Sequence, residues 1–141
     1  MLNIRIVCVG TLKEPYWRDA VAEYEKRLQR YCKLEIVQIR ESNVKEETDA
    51  IREKLRGHTI LCGVAGDVVT SETLARNIER ISQTSSTITF VVGGSDGVGE
   101  LDVNQTTSFG RITYPHQLFR VVLVEQIYRA FTIIKGEKYH K

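Results

Sequence analysis

The amino-acid sequence predicts an α/β sandwich with a mostly parallel sheet. Short apolar runs rich in Val, Ile and Thr alternate with segments in which apolar residues recur at helical spacing. Strands and helices taken in turn along a chain are the pattern of a parallel sheet with helices packed on it. One domain over residues 1–141 is expected, since a chain of this length buries roughly two-thirds of its unfolded surface. The densest apolar run comes last, ahead of a basic end tipped by a histidine, which places the chemistry late in the chain.

Asn3 to Val9, with Ile4, Ile6, Cys8 and Val9 before Gly10, reads as the first strand. Pro15 opens a helical segment toward Tyr31 in which Trp17, Ala20, Val21, Tyr24 and Leu28 share a face. Leu34, Ile36 and Ile39 mark a second strand, and Val44 to Leu55 a short, highly charged helix. A third strand runs from His58 to Val64 and ends at Ala65-Gly66. Ser71 is placed to cap the next helix, whose face carries Leu74, Ile78 and Ile81. Thr87 to Val92, β-branched and aromatic throughout, is the strongest strand signal and stops at Gly93-Gly94.

Glu100 to Thr107 is expected to turn helical, and Phe109 to Thr113 to form a brief last strand. Pro115 and His116 then sit at the entrance of the final helix. From Leu118 to Ile134 the apolar positions almost encircle that helix. Such a helix needs cover on nearly every side, which in so short a chain points to a core on one face and a second subunit on the other.

Composition excludes several classes. A hydrophobic content of 42% with 27% charged residues is that of a soluble globular protein. No long uncharged apolar run suggests a membrane span, and Arg5 interrupts the apolar start, so neither membrane association nor a signal peptide is expected, and the cytoplasm is the expected location. Cys8, Cys32 and Cys62 lack C-x-x-C spacing and read as reduced core residues, and His58, His116 and His140 are scattered, so no metal site is expected. Net charge is only +2, but residues 111–141 carry six Lys/Arg against two Glu. A basic end on a near-neutral body fits phosphate contact, and equally fits cations drawn to a helix C-terminus.

In open α/β sheets ligands sit beyond the carboxyl ends of the strands, so the informative loops are CGVAGDV, GGSDGVG and GRITYPHQ. The glycines of Gly93 to Gly99 let backbone approach a ligand, although no P-loop or dinucleotide fingerprint is present, and a tight turn fits them as well. His116 is suited to proton transfer or to capping a helix. Arg120 and Arg129 are placed to pair with Glu125 and flanking carbonyls or to bind phosphate. Tyr139 and His140, next to a chain end that would otherwise fray, call for a fold-back onto something.

Three segments together, RIVCVGTLKEPYWRDAVAEYEKRL, VVGGSDGV and TYPHQLFRVVLVEQIYRAFTIIKGEKYHK, resemble the RlmH (YbeA-like) group of SPOUT methyltransferases over essentially the whole chain. The resemblance implies a SPOUT-type α/β fold with a C-terminal trefoil knot, S-adenosyl-L-methionine as cofactor, and a homodimer. It further implies methylation of N3 of a pseudouridine in 23S rRNA within the assembled ribosome. By position, it puts cofactor contacts on Cys62, Gly93, Phe109, Gly110, Arg111, Ile112, Thr113 and Tyr114, and the groups near the RNA on His116, Arg120, Arg129, Tyr139 and His140. Two departures stand out: Leu61 is followed by Cys62 where relatives carry an acidic residue, and the stretch from Glu41 to Gly57 is short. The residues alone also fit an RNA- or ribosome-binding protein without catalysis, or a flavodoxin-like enzyme with a phosphorylated substrate at the Gly93 loop. Recognition of S-adenosylmethionine separates both from the methyltransferase.

Overall fold

A computed structural model describes residues 1–141. The elements follow in the order β1 (Asn3–Val9), α1 (Pro15–Leu28), β2 (Lys33–Ile39), α2 (Val44–Lys54), β3 (His58–Val68), α3 (Ser71–Ser82), β4 (Thr87–Val92), β5 (Gln105–Ser108) and α4 (His116–Ile134). The five strands form one sheet in the order β2-β1-β4-β3-β5, and every neighbouring pair is parallel. The expected α/β architecture is therefore present, with a sheet that is parallel throughout.

Alternation along the central strands divides the core between the two faces of the sheet. Ile4, Ile6 and Cys8 of β1 and Ile88, Phe90 and Val92 of β4 point to one side, where they meet Leu28 of α1, Ile78 of α3 and Leu123, Ile127 and Phe131 of α4. Val7, Val9 and Val91 point to the other, against Ile51 of α2. α4 packs against both α1 and α3. The buried stripe of α4 includes Arg120, Leu123, Val124, Ile127, Ala130 and Phe131, while Phe119, Val121, Val122, Ile133 and Ile134 are only partly covered.

Helix ends follow the local chemistry. Asn43 caps α2 by accepting from the Glu46 N–H at 2.8 Å. At α3 the cap is Thr70, which accepts from the Thr73 N–H at 3.0 Å, and the expected cap Ser71 is instead the first helical residue, its hydroxyl donating to Gln126 of α4. α1 stops at Leu28, three residues short of the expected Tyr31.

The segment from Glu100 to Thr107 corrects the sequence expectation, because it is not helical. Asn104 accepts from both the N–H and the hydroxyl of Thr59, at 2.8 and 3.0 Å, and so delivers the chain to the edge of β3. There Gln105 to Ser108 pair with β3, so the last strand precedes the expected Phe109 to Thr113, which form a loop. β3 itself does not end at Ala65-Gly66. It runs on to Val68, with an irregularity between Cys62 and Asp67 that β5 bridges. Pairing to a neighbouring strand outweighs the local signals in both places.

Arg120 fastens the last helix to the first strand. Its guanidinium is 1% exposed and donates from Nη2 to the carbonyls of Val9 and Gly10, at 3.0 and 3.2 Å, just past the end of β1. Removing it leaves a cavity and two carbonyls short of a donor. Arg120→Ala is expected to lower unfolding free energy by about 3 kcal/mol in urea titrations. A loss within about 0.5 kcal/mol would show that the contact contributes little.

Candidate active site

The middle of β3, where its pairing with β4 ends at Cys62, and the carboxyl ends of β4 and β5 surround a pocket of about 480 Å³. β3 supplies Leu61 to Val64 to its wall, the loop after β4 supplies Gly93, Gly94, Ser95 and Val98, and the loop after β5 supplies Phe109, Gly110 and Ile112 to Tyr114. His116 and Phe119 close it from the first turn of α4. The size is that of a small-molecule site, and the wall is mainly apolar.

Glycine suits two of these positions, for different reasons. Gly110 has φ +117°, a conformation that side chains rarely adopt, and it is held there by the Ser108 hydroxyl, which donates to its carbonyl at 2.7 Å. A Cβ on Gly94 would come within 3.1 Å of Glu47 Oε1 and 3.2 Å of Val9 Cγ1. The backbone at Gly94 therefore lies close to Glu47 of α2 and Val9 of β1, which would have to give way to a side chain there. Phe109 and Tyr114 each pack on Phe119, with ring centroids 5.3 and 5.5 Å apart, and give the pocket an aromatic wall.

Of the expected cofactor contacts, Cys62, Gly93, Phe109, Gly110, Ile112, Thr113 and Tyr114 all border this pocket. Burial pushes the Cys62 thiol up to about 12, so it remains protonated near neutral pH and serves as wall rather than nucleophile. Arg111 does not border the pocket. Its guanidinium reaches back to the carbonyls of Val64 and Gly66 (3.0 Å for the second) and staples the loop to the extended end of β3. The pocket fits an adenosyl cofactor on the structure's own terms: backbone exposed by glycine, an aromatic wall, and no bulky charged side chain inside.

The residues expected near RNA fall into separate places. His116 borders the pocket, and its imidazole makes no hydrogen bond to another protein group. Arg120 is sealed behind it on β1. Arg129, Tyr139 and His140 gather elsewhere around Glu125. Arg129 pairs with Glu125 at 2.7 Å, the Tyr139 hydroxyl donates to the same carboxylate at 2.9 Å, and the Arg129 guanidinium lies 4.8 Å from the Tyr139 ring centroid. His140 Nδ1 is 3.1 Å from Arg129 Nη1, and Nε2 is 3.1 Å from Glu72 on α3. Because Arg can only donate, Nδ1 accepts, and the imidazole proton sits on Nε2 facing Glu72. Burial first, with the hydrogen bond to Glu125, holds the Tyr139 hydroxyl protonated well above the usual range. The tail is thus folded back, as its sequence requires.

Glu125 and Glu72 are the hub and the outer anchor of this arrangement, and sequence reading gave neither a role beyond Glu125 as an ion-pair partner. The i,i+4 spacing of Glu125 and Arg129 was a usable signal. Glu72 had none, since it meets His140 only through the packing of α3 on α4.

No helix is long and apolar enough to cross a membrane, and no group of three or more His, Cys, Asp or Glu is arranged to hold a metal ion. The family model described as "Predicted SPOUT methyltransferase" matches residues 2–140.

The tail has a second anchor, a hydrogen bond of 2.6 Å from the Tyr31 hydroxyl to Glu137. Burial first, and this bond second, push the Tyr31 hydroxyl up to about 12. Since the folded value lies above that of an unfolded tyrosine, the stability it confers is full below about pH 10 and lost as pH rises toward about 12. Tyr31→Phe is expected to be less stable than the parent at pH 9, with the gap narrowing by pH 11. Denaturation curves that keep the gap constant would contradict this linkage.

Proposed function

The chain belongs to the SPOUT methyltransferase family, enzymes that transfer methyl groups from S-adenosylmethionine to RNA, and from this premise we propose that it is a methyltransferase of the RlmH (YbeA-like) type. It methylates N3 of a pseudouridine in 23S rRNA on assembled ribosomes, in the cytoplasm, as a homodimer. The observation that carries this reading is the pocket between the middle of β3 and the ends of β4 and β5, with an unengaged histidine, His116, in its wall. The specific target rests on the combined T-x-P-H-Q, E-Q-x-Y-R-A and Y-H-K sequences at the end of the chain. The partly covered apolar positions of α4, together with Tyr16 at 61% exposure on α1, support a face for the second subunit. The trefoil knot and the single-domain organisation belong to the same reading.

When bound, S-adenosylmethionine supplies a methyl group on a sulfonium, so good a leaving group that positioning carries most of the catalysis. Cys62, Gly93 and the backbone from Phe109 to Tyr114 hold it, with Arg111 keeping that backbone in place. His116 accepts the proton leaving the uracil N3 as the new carbon–nitrogen bond forms. His140 is less suited to that step while its Nδ1 lone pair is engaged by Arg129. Arg129, Tyr139 and His140, held together by Glu125 and Glu72, instead meet the RNA as a preformed hydrogen-bonding surface. Arg120 contributes by fixing the start of α4, and with it His116.

Methyl transfer from labelled S-adenosylmethionine to ribosomes lacking the modification tests the reading directly. Label on assembled 70S particles and little on free 23S rRNA is expected. His116→Ala is expected to lower turnover about 100-fold or more with cofactor affinity unchanged. Absence of label on either substrate, with cofactor bound, would show that the RNA target is different. Absence of cofactor binding would leave an RNA-binding protein without catalysis.

A further inference from the structure

We propose that the recess between α2 and the Gly93–Gly97 loop is a subsite for a primary ammonium group, with Glu47 as its counter-ion. The ligand is the amino-acid end of the cofactor, so the inference rests on the cofactor reading above. Glu47 is only 7% exposed, yet none of the ion pairs in the molecule includes it. Its Oε2 accepts from the Ser42 N–H at 2.8 Å. Its Oε1 accepts from no protein group and faces Gly94, where an added Cβ would stand 3.1 Å away. An almost enclosed carboxylate with one neutral donor, no cation beside it and a free oxygen at the wall of a recess is a negative site that a positive ligand group complements.

The recess holds about 70 Å³ and is bordered by Glu41, Glu47, Gly94, Ser95, Asp96 and His116 among others. Gly94, Ser95 and His116 border the main pocket as well, so the two spaces adjoin. A space of that size admits a small polar group such as an ammonium. Its three acidic groups face a single imidazole, so its field favours a cation. The acids are not arranged to hold a metal ion, which leaves an organic cation. S-adenosylmethionine carries two positive centres, and the sulfonium has to remain in the main pocket within reach of the acceptor base. The ammonium is the group left for the recess.

The test is calorimetric titration of the parent and Glu47→Gln with two ligands that differ at one end. S-adenosylhomocysteine carries the ammonium and no sulfonium, and methylthioadenosine carries neither. Glutamine retains an acceptor for the Ser42 N–H, and methylthioadenosine binding reports that the main pocket is intact. Glu47→Gln is expected to weaken S-adenosylhomocysteine by about tenfold or more and to leave methylthioadenosine within about twofold. Equal affinity of parent and variant for S-adenosylhomocysteine would overturn the subsite. So would equal weakening of both ligands, which would make Glu47 a support of the loop. A parent protein that binds neither ligand would overturn the cofactor reading and the subsite together.

Discussion

Parallel pairing throughout the sheet is the constraint from which the rest of the molecule follows. Parallel neighbours have to be joined by crossovers, so helices cover both faces and all strands finish at one edge. The order β2-β1-β4-β3-β5 then decides where along that edge a ligand fits. After β3 the chain returns to place β4 on one side of it, and next places β5 on the other. The loops leaving β4 and β5 therefore diverge around the point where β3 stops pairing with β4 and leave a crevice over Leu61 to Val64, which is where the pocket lies.

A single helix connects that crevice to everything else. α4 begins at the pocket with His116, buries Arg120 against the end of β1 one turn later, and carries Glu125 and Arg129 to the folded-back tail. Position in the pocket, attachment to the sheet and placement of the tail are coupled through its rigidity. Arg120 is the most demanding part, because its Nε and Nη1 are buried without a partner while Nη2 satisfies two strand carbonyls. A buried guanidinium retained at that cost fixes where α4 starts, and small displacements there move His116, the proposed proton acceptor.

Much of this was legible in the sequence, for physical reasons that differ by element. β1 and β4 announce themselves because both faces of a central parallel strand are buried, and NIRIVCV and TITFVV are apolar or β-branched accordingly. β5 was misplaced because QTTS is a polar edge strand whose stability comes from β3 and from the Asn104–Thr59 hydrogen bonds, neither of which leaves a periodic signal. The same pairing carries β3 through Ala65-Gly66, residues that in isolation read as a stop. At the candidate site, the three loops stood out because ligands of open α/β sheets lie beyond strand carboxyl ends, and the positions that the resemblance implies for the cofactor border the pocket except for Arg111, whose side chain is spent on Val64 and Gly66. Glu47 and Glu72 were hidden, since each matters through contacts across the fold and sits on a helix that reads as ordinary solvated charge.

Chemical-shift mapping of the labelled protein during titration with S-adenosylhomocysteine bears most directly on the claim that this edge of the sheet is the cofactor site. Saturable shifts are expected at Cys62 to Val64, Gly93 to Val98 and Phe109 to His116, with the opposite ends of the strands, at Asn3 of β1 and Lys33 of β2, unmoved. Shifts centred on another surface, or none at ligand concentrations that saturate related sites, would contradict it.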